Sequence, residues 1–197
     1  MQFNTLWTGL EYYSLENCLI EITASGVDIN SVIVGKHEGR IYRVDYHIKT
    51  NPGWETEYVQ ITSRHSNREQ YYRLTSDGAG NWIVDGQRIS QFDGCIDVDI
   101  AVTPFTNTLP INRLRLHPRE TKHIRVIYFD LLQQQVRPVD QVYKRISEEK
   151  YHYENVPNDF EADITVDENG LVVDYPSLFT RTEIIQSSYY CNVEQDF

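Results

Sequence analysis

Apolar and polar side chains alternate without interruption in Tyr42-Arg43-Val44-Asp45-Tyr46-His47-Ile48, and the turn sequence Asn51-Pro52-Gly53 follows. A second extended segment then runs from Trp54 to Thr62. Period-two alternation is typical of a strand that buries one face and exposes the other. Asn, Pro and Gly favour tight turns because each suits the backbone angles that a turn requires. This region therefore predicts a β-hairpin.

The same pattern continues outward from this hairpin. Tyr71 to Ser76 and Trp82 to Asp85 form a second pair of extended segments around the turn Asp77-Gly78-Ala79-Gly80. No segment carries a sustained apolar stripe with the helical period, and no low-complexity linker divides the chain. We therefore predict one all-β domain over residues 1–182, mainly of antiparallel strands with few short helices. Residues 183–197 are predicted to be a partly disordered C-terminal tail.

Composition and charge narrow the classes of partner. The 197 residues include 29 acidic and 18 basic side chains, which gives a net charge of −11. Nucleic acids and anionic membranes attract basic surfaces, so this balance argues against both as the main partner. No run of 18 apolar residues is present, which predicts no stable membrane insertion. The 14 Tyr, 7 Phe and 3 Trp suit the pleated surface of a sheet.

Three cysteines, Cys18, Cys95 and Cys191, are far apart and lack the paired spacing of a zinc site or a disulfide framework. The segment from Met1 to Trp7 lacks the basic and apolar regions of a secretory signal. We therefore expect a cytoplasmic protein with reduced thiols. Neither a metal ion nor another cofactor is predicted, since no helical histidine pair, serine nucleophile motif or phosphate-binding loop occurs.

A weak internal similarity indicates a duplication. Three pairs of stretches match at offsets of 90, 82 and 85 positions: Leu74 to Gly80 with Ile164 to Gly170, Val44-Asp45-Tyr46 with Val126-Ile127-Tyr128, and Tyr58 to Ile61 with Tyr143 to Ile146. Slowly drifting offsets are expected when loops are inserted into a duplicated β unit. We predict two pseudo-symmetric repeats, over about residues 30–92 and 118–182, with a connecting motif at residues 93–117.

The connecting motif contains an unusual stretch, Asp93-Gly94-Cys95-Ile96-Asp97-Val98-Asp99-Ile100-Ala101-Val102-Thr103-Pro104-Phe105-Thr106-Asn107-Thr108-Leu109-Pro110-Ile111. Its first half has the alternation of a strand. The apolar face comprises Ile96, Val98, Ile100 and Val102, and the polar face comprises Cys95, Asp97, Asp99 and Ala101. After the Thr/Asn/Pro connection we predict a second strand, with two leucines on one face and Arg113 and Arg115 on the other.

Pairing these two strands as a hairpin around Thr106 would place Asp97 opposite Arg115 and Asp99 opposite Arg113. Cross-strand charge pairs of this kind contribute about 0.2–1 kcal/mol each. One interpretation is therefore a salt-bridged face that is exposed to solvent. The other is that the acidic face lines a polar cavity and meets the hydroxyl groups of a ligand.

Two further chemistries are open to these aspartates. Asp97 and Asp99 lie two positions apart on one strand, roughly 6–7 Å, which could suit the carboxylate pair of a glycoside hydrolase. Asp93, Asp97 and Asp99 could also bind a hard cation such as calcium, although their spacing matches no EF-hand loop. We predict no catalytic residue and no metal ligand, and keep a hydrolase of sugar or lipid derivatives that uses Asp97 and Asp99 as the alternative.

Four motifs extend over nearly the whole chain, from about Leu6 to Arg181. They are Trp7-x-Gly9-Leu10-Glu11, Asp77-Gly78-x-Gly80-x-Trp82 with Asp85-Gly86, the stretch from Asp93 to Ile111 with its string T-P-F-T-N-T-L-P-I, and Gly170-Leu171-Val172-x-Asp174-Tyr175-Pro176. Together they resemble the bacterial "putative glycolipid-binding" family, with a departure at Ser177, where Gly is expected. The resemblance implies a spiral β-roll or half-barrel of two similar halves, akin to the periplasmic carriers of lipoproteins and mycobacterial glycolipids.

The combined expectation is non-catalytic binding of an amphipathic ligand, such as a glycolipid, in a cavity of the β-roll. Apolar walls would bury acyl chains, and a few polar groups would orient the headgroup. The candidate ligand-binding residues are Trp7, Glu11, Tyr46, Asp97, Asp99, Thr103, Thr106, Asn107 and Arg113. A β protein without a cavity, used in protein–protein contact, is a further alternative. The oligomeric state stays open.

Overall fold

The computed structural model describes residues 1–65 and 68–187, and these residues form the predicted all-β fold. In chain order the strands are β1 (Gln2–Gly9), β2 (Ser14–Thr23), β3 (Gly26–His37), β4 (Arg40–Thr50), β5 (Thr56–His65), β6 (Arg68–Ser76), β7 (Trp82–Val84), β8 (Gln87–Arg88), β9 (Asp97–Ile100), β10 (Thr121–Asp130), β11 (Gln135–Arg145), β12 (Lys150–Val156), β13 (Glu161–Val166), β14 (Val172–Tyr175) and β15 (Phe179–Ser187). Within the described residues the helical segments are one α-helix, α1 (Thr108–Leu114), and two 3₁₀ helices (Ser90–Phe92 and Phe105–Asn107). None of these helices is long and apolar enough to cross a membrane.

The described strands belong to one curled sheet with the order β8-β7-β6-β5-β4-β3-β2-β1-β15-β14-β13-β12-β11-β10-β9. Two antiparallel meanders, β1 to β8 and β10 to β15, meet where β1 pairs with β15. Strand β9 pairs with β10 in parallel, whereas the other pairings are antiparallel. Most of the sheet therefore forms from hairpins between neighbours in sequence, and two long-range pairings complete it.

The β4–β5 hairpin confirms the first sequence prediction. The inward side chains of β4, at alternate positions from Tyr42 to Ile48, are at most 3% exposed. Asn51 holds the turn, because its Oδ1 accepts a hydrogen bond from the backbone N–H of Gly53 at 2.9 Å. Alternation and turn chemistry act over only a few residues, so the sequence carries both signals directly.

Two apolar clusters lie inside the curl, and the edge strand β9 separates them. The first cluster joins the early strands to Val98 and Ile100 of β9. On the opposite face of β9, Asp99 accepts a hydrogen bond from Gln141, which also bonds to Tyr153 of the second cluster. Because β9 is covered on both faces, the edge of the sheet winds into the interior, as expected for a spiral β-roll.

The predicted hairpin around Thr106 is wrong. After β9 the chain forms a 3₁₀ helix and α1 instead of a second strand. Pro110 lies in the first turn of α1, where its missing N–H costs no helical hydrogen bond, and Arg115 ends the helix with a φ of 46°. Leu109 packs into the first cluster and Ile111 into the second. The helix therefore packs inside the curled sheet and contacts both apolar clusters, which a flat hairpin at this position could not do.

This helix also changes the predicted charge pairs. Arg113 forms a bidentate ion pair with Asp97, with N···O distances of 3.0 and 2.5 Å, rather than with Asp99. The predicted pair of Asp97 with Arg115 does not form, because Arg115 lies at the end of the helix. Asp97 has no exposed surface, so the interpretation of a salt-bridged solvent face is wrong.

The predicted start of the C-terminal tail, at residue 183, is too early in the sequence. Strand β15 continues to Ser187 and pairs with β1, which places Ile184 beside Thr5. This pairing satisfies backbone groups that would otherwise form an exposed sheet edge on β1. The remaining part of the predicted tail, residues 188–197 with Cys191, lies outside the described residues.

The strand order tests the stretches that indicated a duplication. The turns at Asp77 and Asp167 are alike: each aspartate Oδ1 accepts hydrogen bonds from the backbone N–H groups two and four residues later. Gly80 and Gly170 both have positive φ, at 84° and 72°. The offsets of 82 and 85, however, match β4 with β10 and β5 with β11, which leaves β12 without a counterpart. Those two matches are therefore wrong in register, and the duplication stays a prediction.

Trp7 allows a test of how the two meanders are joined. Its indole is fully buried, and Nε1–H donates a hydrogen bond to the carbonyl oxygen of Val172 at 2.8 Å. We expect Trp7→Phe to lower the free energy of unfolding by about 2–4 kcal/mol, because packing is lost and a buried carbonyl loses a donor. Urea denaturation measures the change. The control is Trp54→Phe, because the indole N–H of Trp54 makes no hydrogen bond within the described residues. An equal loss of stability in both variants would contradict a stabilising role for the hydrogen bond between Trp7 and Val172.

Candidate functional site

A cleft of about 370 Å³ opens between the β1–β2 turn and the second meander. Its floor comes from the connecting motif, between Asp99 and Asn107, and its walls come from β10, β11, β12, β14 and β15. This volume is near the lower end of the ~300–1,000 Å³ typical of small-molecule sites. The cleft forms because β9 turns inward, so that Asp99 on its polar face points towards the second meander.

Aromatic rings form one continuous wall of this cleft. Tyr12 stacks on Phe179 with centroids 5.9 Å apart, and Tyr175 lies 6.2 Å from Phe179. Tyr175 also contacts Tyr153 and Phe160, each at 6.2 Å. These rings come from three strands and two turns, and Tyr12 is more than 140 positions away from the other four in sequence. We call these five residues the aromatic wall.

Asp99 is the central polar group of the floor. Its Oδ2 accepts a hydrogen bond from Gln141 Nε2 at 2.7 Å, and its Oδ1 accepts one from Thr106 Oγ1 at 3.2 Å. Burial raises the pKa of Asp99 above its ordinary value, and the hydrogen bonds from Gln141 and Thr106 offset this increase only in part. Burial and the charge of Asp99 raise the pKa values of Tyr153 and Tyr175, so both phenols stay protonated and can donate hydrogen bonds.

The charged residues that line the cleft are mostly acidic. Glu11, Asp99 and Asp159 contribute carboxylates, and Arg137 is the one cation among the described lining residues. The Arg137 guanidinium carbon lies 5.6 Å from the centroid of the Tyr128 ring, within the range of a cation–π contact. The cleft therefore presents net negative charge together with aromatic faces.

A second groove, of about 300 Å³, has a mainly apolar lining that includes Leu74, Phe92, Phe129 and Val136. Phe129 directly follows Tyr128 on β10, and consecutive strand residues point to opposite faces. The apolar groove and the cleft thus lie on opposite faces of the sheet. A single ligand cannot occupy both without crossing the sheet.

Four of the nine predicted binding residues line the cleft: Glu11, Asp99, Thr103 and Asn107. Two of them also support the irregular connection. Thr103 Oγ1 accepts a hydrogen bond from the backbone N–H of Phe105, and Asn107 Nδ2 donates one to the carbonyl of Pro104. Their side chains therefore shape the floor as well as face the cavity.

The other five predicted residues do not line the cleft. Thr106 lies beneath the floor, where its hydroxyl orients Asp99. Asp97 and Arg113 compensate each other in the interior, and burial raises the pKa of Asp97 while Arg113 lowers it. Trp7 and Tyr46 belong to the first apolar cluster.

The predicted aspartates do not converge on one site. Asp93 forms an ion pair with Arg88 at 3.1 Å, Asp97 pairs with Arg113, and only Asp99 faces the cleft. A calcium ion bound by all three is therefore wrong for this fold. Asp97 and Asp99 therefore cannot act together as an acid–base pair in one cavity, because the guanidinium of Arg113 bonds to both carboxylate oxygens of Asp97.

Sequence reasoning missed a buried carboxyl group behind the floor. Glu16 is 2% exposed, and its Oε1 accepts hydrogen bonds from Ser31 Oγ at 2.7 Å and the Tyr46 hydroxyl at 2.6 Å. The Tyr46 hydroxyl also lies 3.3 Å from Thr103 Oγ1, at the cleft. The signal was present in the sequence, because Glu16 occupies an inward position of β2 between Ser14 and Cys18, which are also buried.

Glu16 gives a pH-dependent prediction. Burial raises its pKa to about 7 from an ordinary value of 4.5. Between these values the folded protein holds a proton that the unfolded chain has released, so stability falls as the pH rises from about 4.5 to 7 and then levels off. The total effect is about 3 kcal/mol. We expect Glu16→Gln to lose this dependence and to be more stable than the wild type at pH 8.

Urea denaturation at pH 4.5 and pH 8 measures the effect as the difference between variant and wild type. Glu57→Gln is the matched control, because Glu57 is exposed on β5 and its replacement should change stability equally at both pH values. A Glu16→Gln difference that does not grow between pH 4.5 and 8 would show that the buried carboxyl does not titrate in this interval.

Comparisons with known proteins agree with this description. A family model described as "Putative glycolipid-binding" matches residues 4–181. The chain is also similar to the crystal structure of a DUF1089 family protein from Pseudomonas aeruginosa, with 32% identity and a TM-score of 0.75 over 84% of this chain and 91% of that chain. None of the curated proteins matches the chain. The family match confirms the resemblance inferred from the four motifs, and the structural match confirms the fold.

Proposed function

Because the chain belongs to the "putative glycolipid-binding" family, we propose that it binds the headgroup of an amphipathic ligand, such as a glycolipid, in the cleft around Asp99. The observation that carries this proposal is the aromatic wall opposite a hydrogen-bonding floor. A sugar ring presents apolar C–H faces that pack on aromatic rings, and hydroxyl groups that bond to carboxylates, amides and phenols. The cleft offers both kinds of surface at once.

The dimensions favour a headgroup over a complete lipid. A volume of about 370 Å³ accommodates one or two rings, and the acidic and amide side chains of the floor would be poor partners for an acyl chain. Leu10 and Tyr13 flank Glu11 and Tyr12 in the β1–β2 turn and are 48% and 77% exposed. We propose that the apolar part of the ligand leaves the cleft along these two side chains.

The proposed role is binding without catalysis. The hydrolase alternative required Asp97 and Asp99 in one cavity, and the Asp97–Arg113 ion pair lies outside the cleft. The presence of a cleft with convergent polar groups also weighs against an interaction domain without a cavity. A binding protein needs only a shaped, selective site, which the floor and the aromatic wall supply.

We place this activity in the cytoplasm. Cys18 and Cys95 are buried free thiols, and burial raises the pKa of the Cys95 thiol to about 11. Such thiols are typical of a reducing compartment, where disulfides are rare. The net charge of −11 also suits a partner that is neither nucleic acid nor an anionic bilayer surface.

A titration with octyl glucoside below its micelle concentration tests the proposal, with binding followed by ¹H–¹⁵N NMR. We expect chemical-shift changes concentrated at the cleft. Phe160→Ala removes one ring of the aromatic wall from a position that is 37% exposed, so the fold should tolerate it. The affinity should fall about five-fold, as expected for one lost ring contact.

Tyr71→Ala is the matched control, because Tyr71 is an exposed aromatic residue that lies outside the cleft. Its affinity for octyl glucoside should equal that of the wild type. Shift changes spread over the whole sheet, or equal losses in both variants, would argue for nonspecific detergent binding and against the proposed site.

A further inference from the structure

The cleft holds a carboxylate that has no cationic partner among the described residues. Asp99 bonds only to neutral groups, the amide of Gln141 and the hydroxyl of Thr106. The neighbouring Asp97 on the same strand is compensated by Arg113. Carboxylates that are largely removed from solvent are normally paired with a positive charge, and the partly buried Asp99 lacks the partner that its neighbour has.

The hydrogen bonds around Asp99 suit the ionised form of its carboxylate. Thr106 Oγ1 accepts a hydrogen bond from the backbone N–H of Ile100 and donates its own proton to Asp99. Gln141 presents its Nε2 donor to the other oxygen. Both oxygens thus act as acceptors, which is the role of an ionised carboxylate.

Tyrosine rings surround this negative charge. Tyr128, Tyr153 and Tyr175 line the same cleft as Asp99. Burial and then the charge of Asp99 raise the pKa of each of these three tyrosines, so that all three phenols stay protonated. The faces of aromatic rings attract cations, and cages of such rings bind ammonium groups.

The other charged residues that line the cleft also favour a positively charged ligand. Glu11 and Asp159 add negative charge, and Arg137 is held against the Tyr128 ring rather than against Asp99. A phosphate or sulfate group in this cleft would share it with three carboxylates and one guanidinium. A positively charged group would be attracted both by the carboxylates and by the aromatic rings of the lining.

We propose that the cleft selects headgroups that carry a protonated amine over neutral or phosphorylated ones. This inference rests on the proposed function and specifies the ligand class of the same site. The ammonium group forms the ion pair that Asp99 lacks, and the aromatic wall packs on the rest of the headgroup. An amino sugar and the amine head of a lipid both supply this chemistry.

Isothermal titration calorimetry at pH 7 with four probes tests the selectivity. Glucosamine and octylammonium carry the amine, octyl glucoside is neutral, and octyl phosphate is anionic. We expect at least one amine probe to bind ten-fold or more tightly than octyl glucoside, and octyl phosphate to bind most weakly. A preference for glucosamine would assign an amino sugar, and a preference for octylammonium would assign an alkylamine head; either result supports the proposal.

Asp99→Asn keeps the shape and the hydrogen-bond acceptor at one oxygen but removes the charge. It should abolish the preference for amine probes, so that the ratio of their affinity to that of octyl glucoside in the same variant falls at least ten-fold. Asp85→Asn is the matched control, since it removes one exposed carboxylate outside the cleft and should leave the preference intact. Glu11→Gln, an exposed lining position, provides a second charge-neutralising variant if Asp99→Asn does not fold; it should reduce the preference at least two-fold.

The outcomes separate this inference from the proposed function. Octyl glucoside binding in the cleft without a preference for either amine would overturn the inference and leave the headgroup site intact. Equal binding of octyl phosphate, or an unchanged preference in the folded Asp99→Asn variant, would overturn it as well. Failure of all four probes to bind would overturn both proposals.

Discussion

The buried ion pair between Asp97 and Arg113 holds the inner edge of the sheet in place. Asp97 lies on β9, which is covered on both faces, and its side chain has no exposed surface, so its charge must be compensated inside the protein. The guanidinium of Arg113 does this in bidentate geometry and thereby docks α1 within the curl. The segment between β9 and α1 then becomes the floor of the cleft. The cleft depends on this pair although neither residue lines it.

Three carboxyl groups lie in or near that floor, and each is held in a different way. Asp97 is compensated by a full charge and has a structural role. Glu16 is held by hydroxyl groups and a raised pKa, and it joins the first apolar cluster to the cleft through Tyr46 and Thr103. Asp99 faces the cleft and has only neutral donors within the part of the chain that the structure describes. Of these three carboxyl groups, Asp99 is therefore the one with which a positively charged ligand would form an ion pair.

Local patterns predicted the elements that depend on near neighbours. The alternation from Tyr42 to Ile48 and the turn at Asp77 were sufficient for strands and hairpins, because strand parity and turn hydrogen bonds involve residues a few positions apart. At Asp97, strand parity left open whether the polar face meets solvent or the interior, because parity does not show whether both faces of a strand are covered. The predicted second strand was wrong at Pro110, because the helix there is stabilised by packing against two apolar clusters formed by residues distant in sequence.

The fold class and the β4–β5 and β6–β7 hairpins could thus be predicted from the chain alone, because short-range periodicity and turn residues specify them. The aromatic wall could not, since Tyr12, Tyr153 and Phe179 become neighbours only after the sheet curls and β1 pairs with β15. The partner of Asp97, the isolation of Asp99 and the polar character of the cleft likewise arise from long-range packing. Charge compensation and burial depend on distances in space, and spacing along the chain does not contain them.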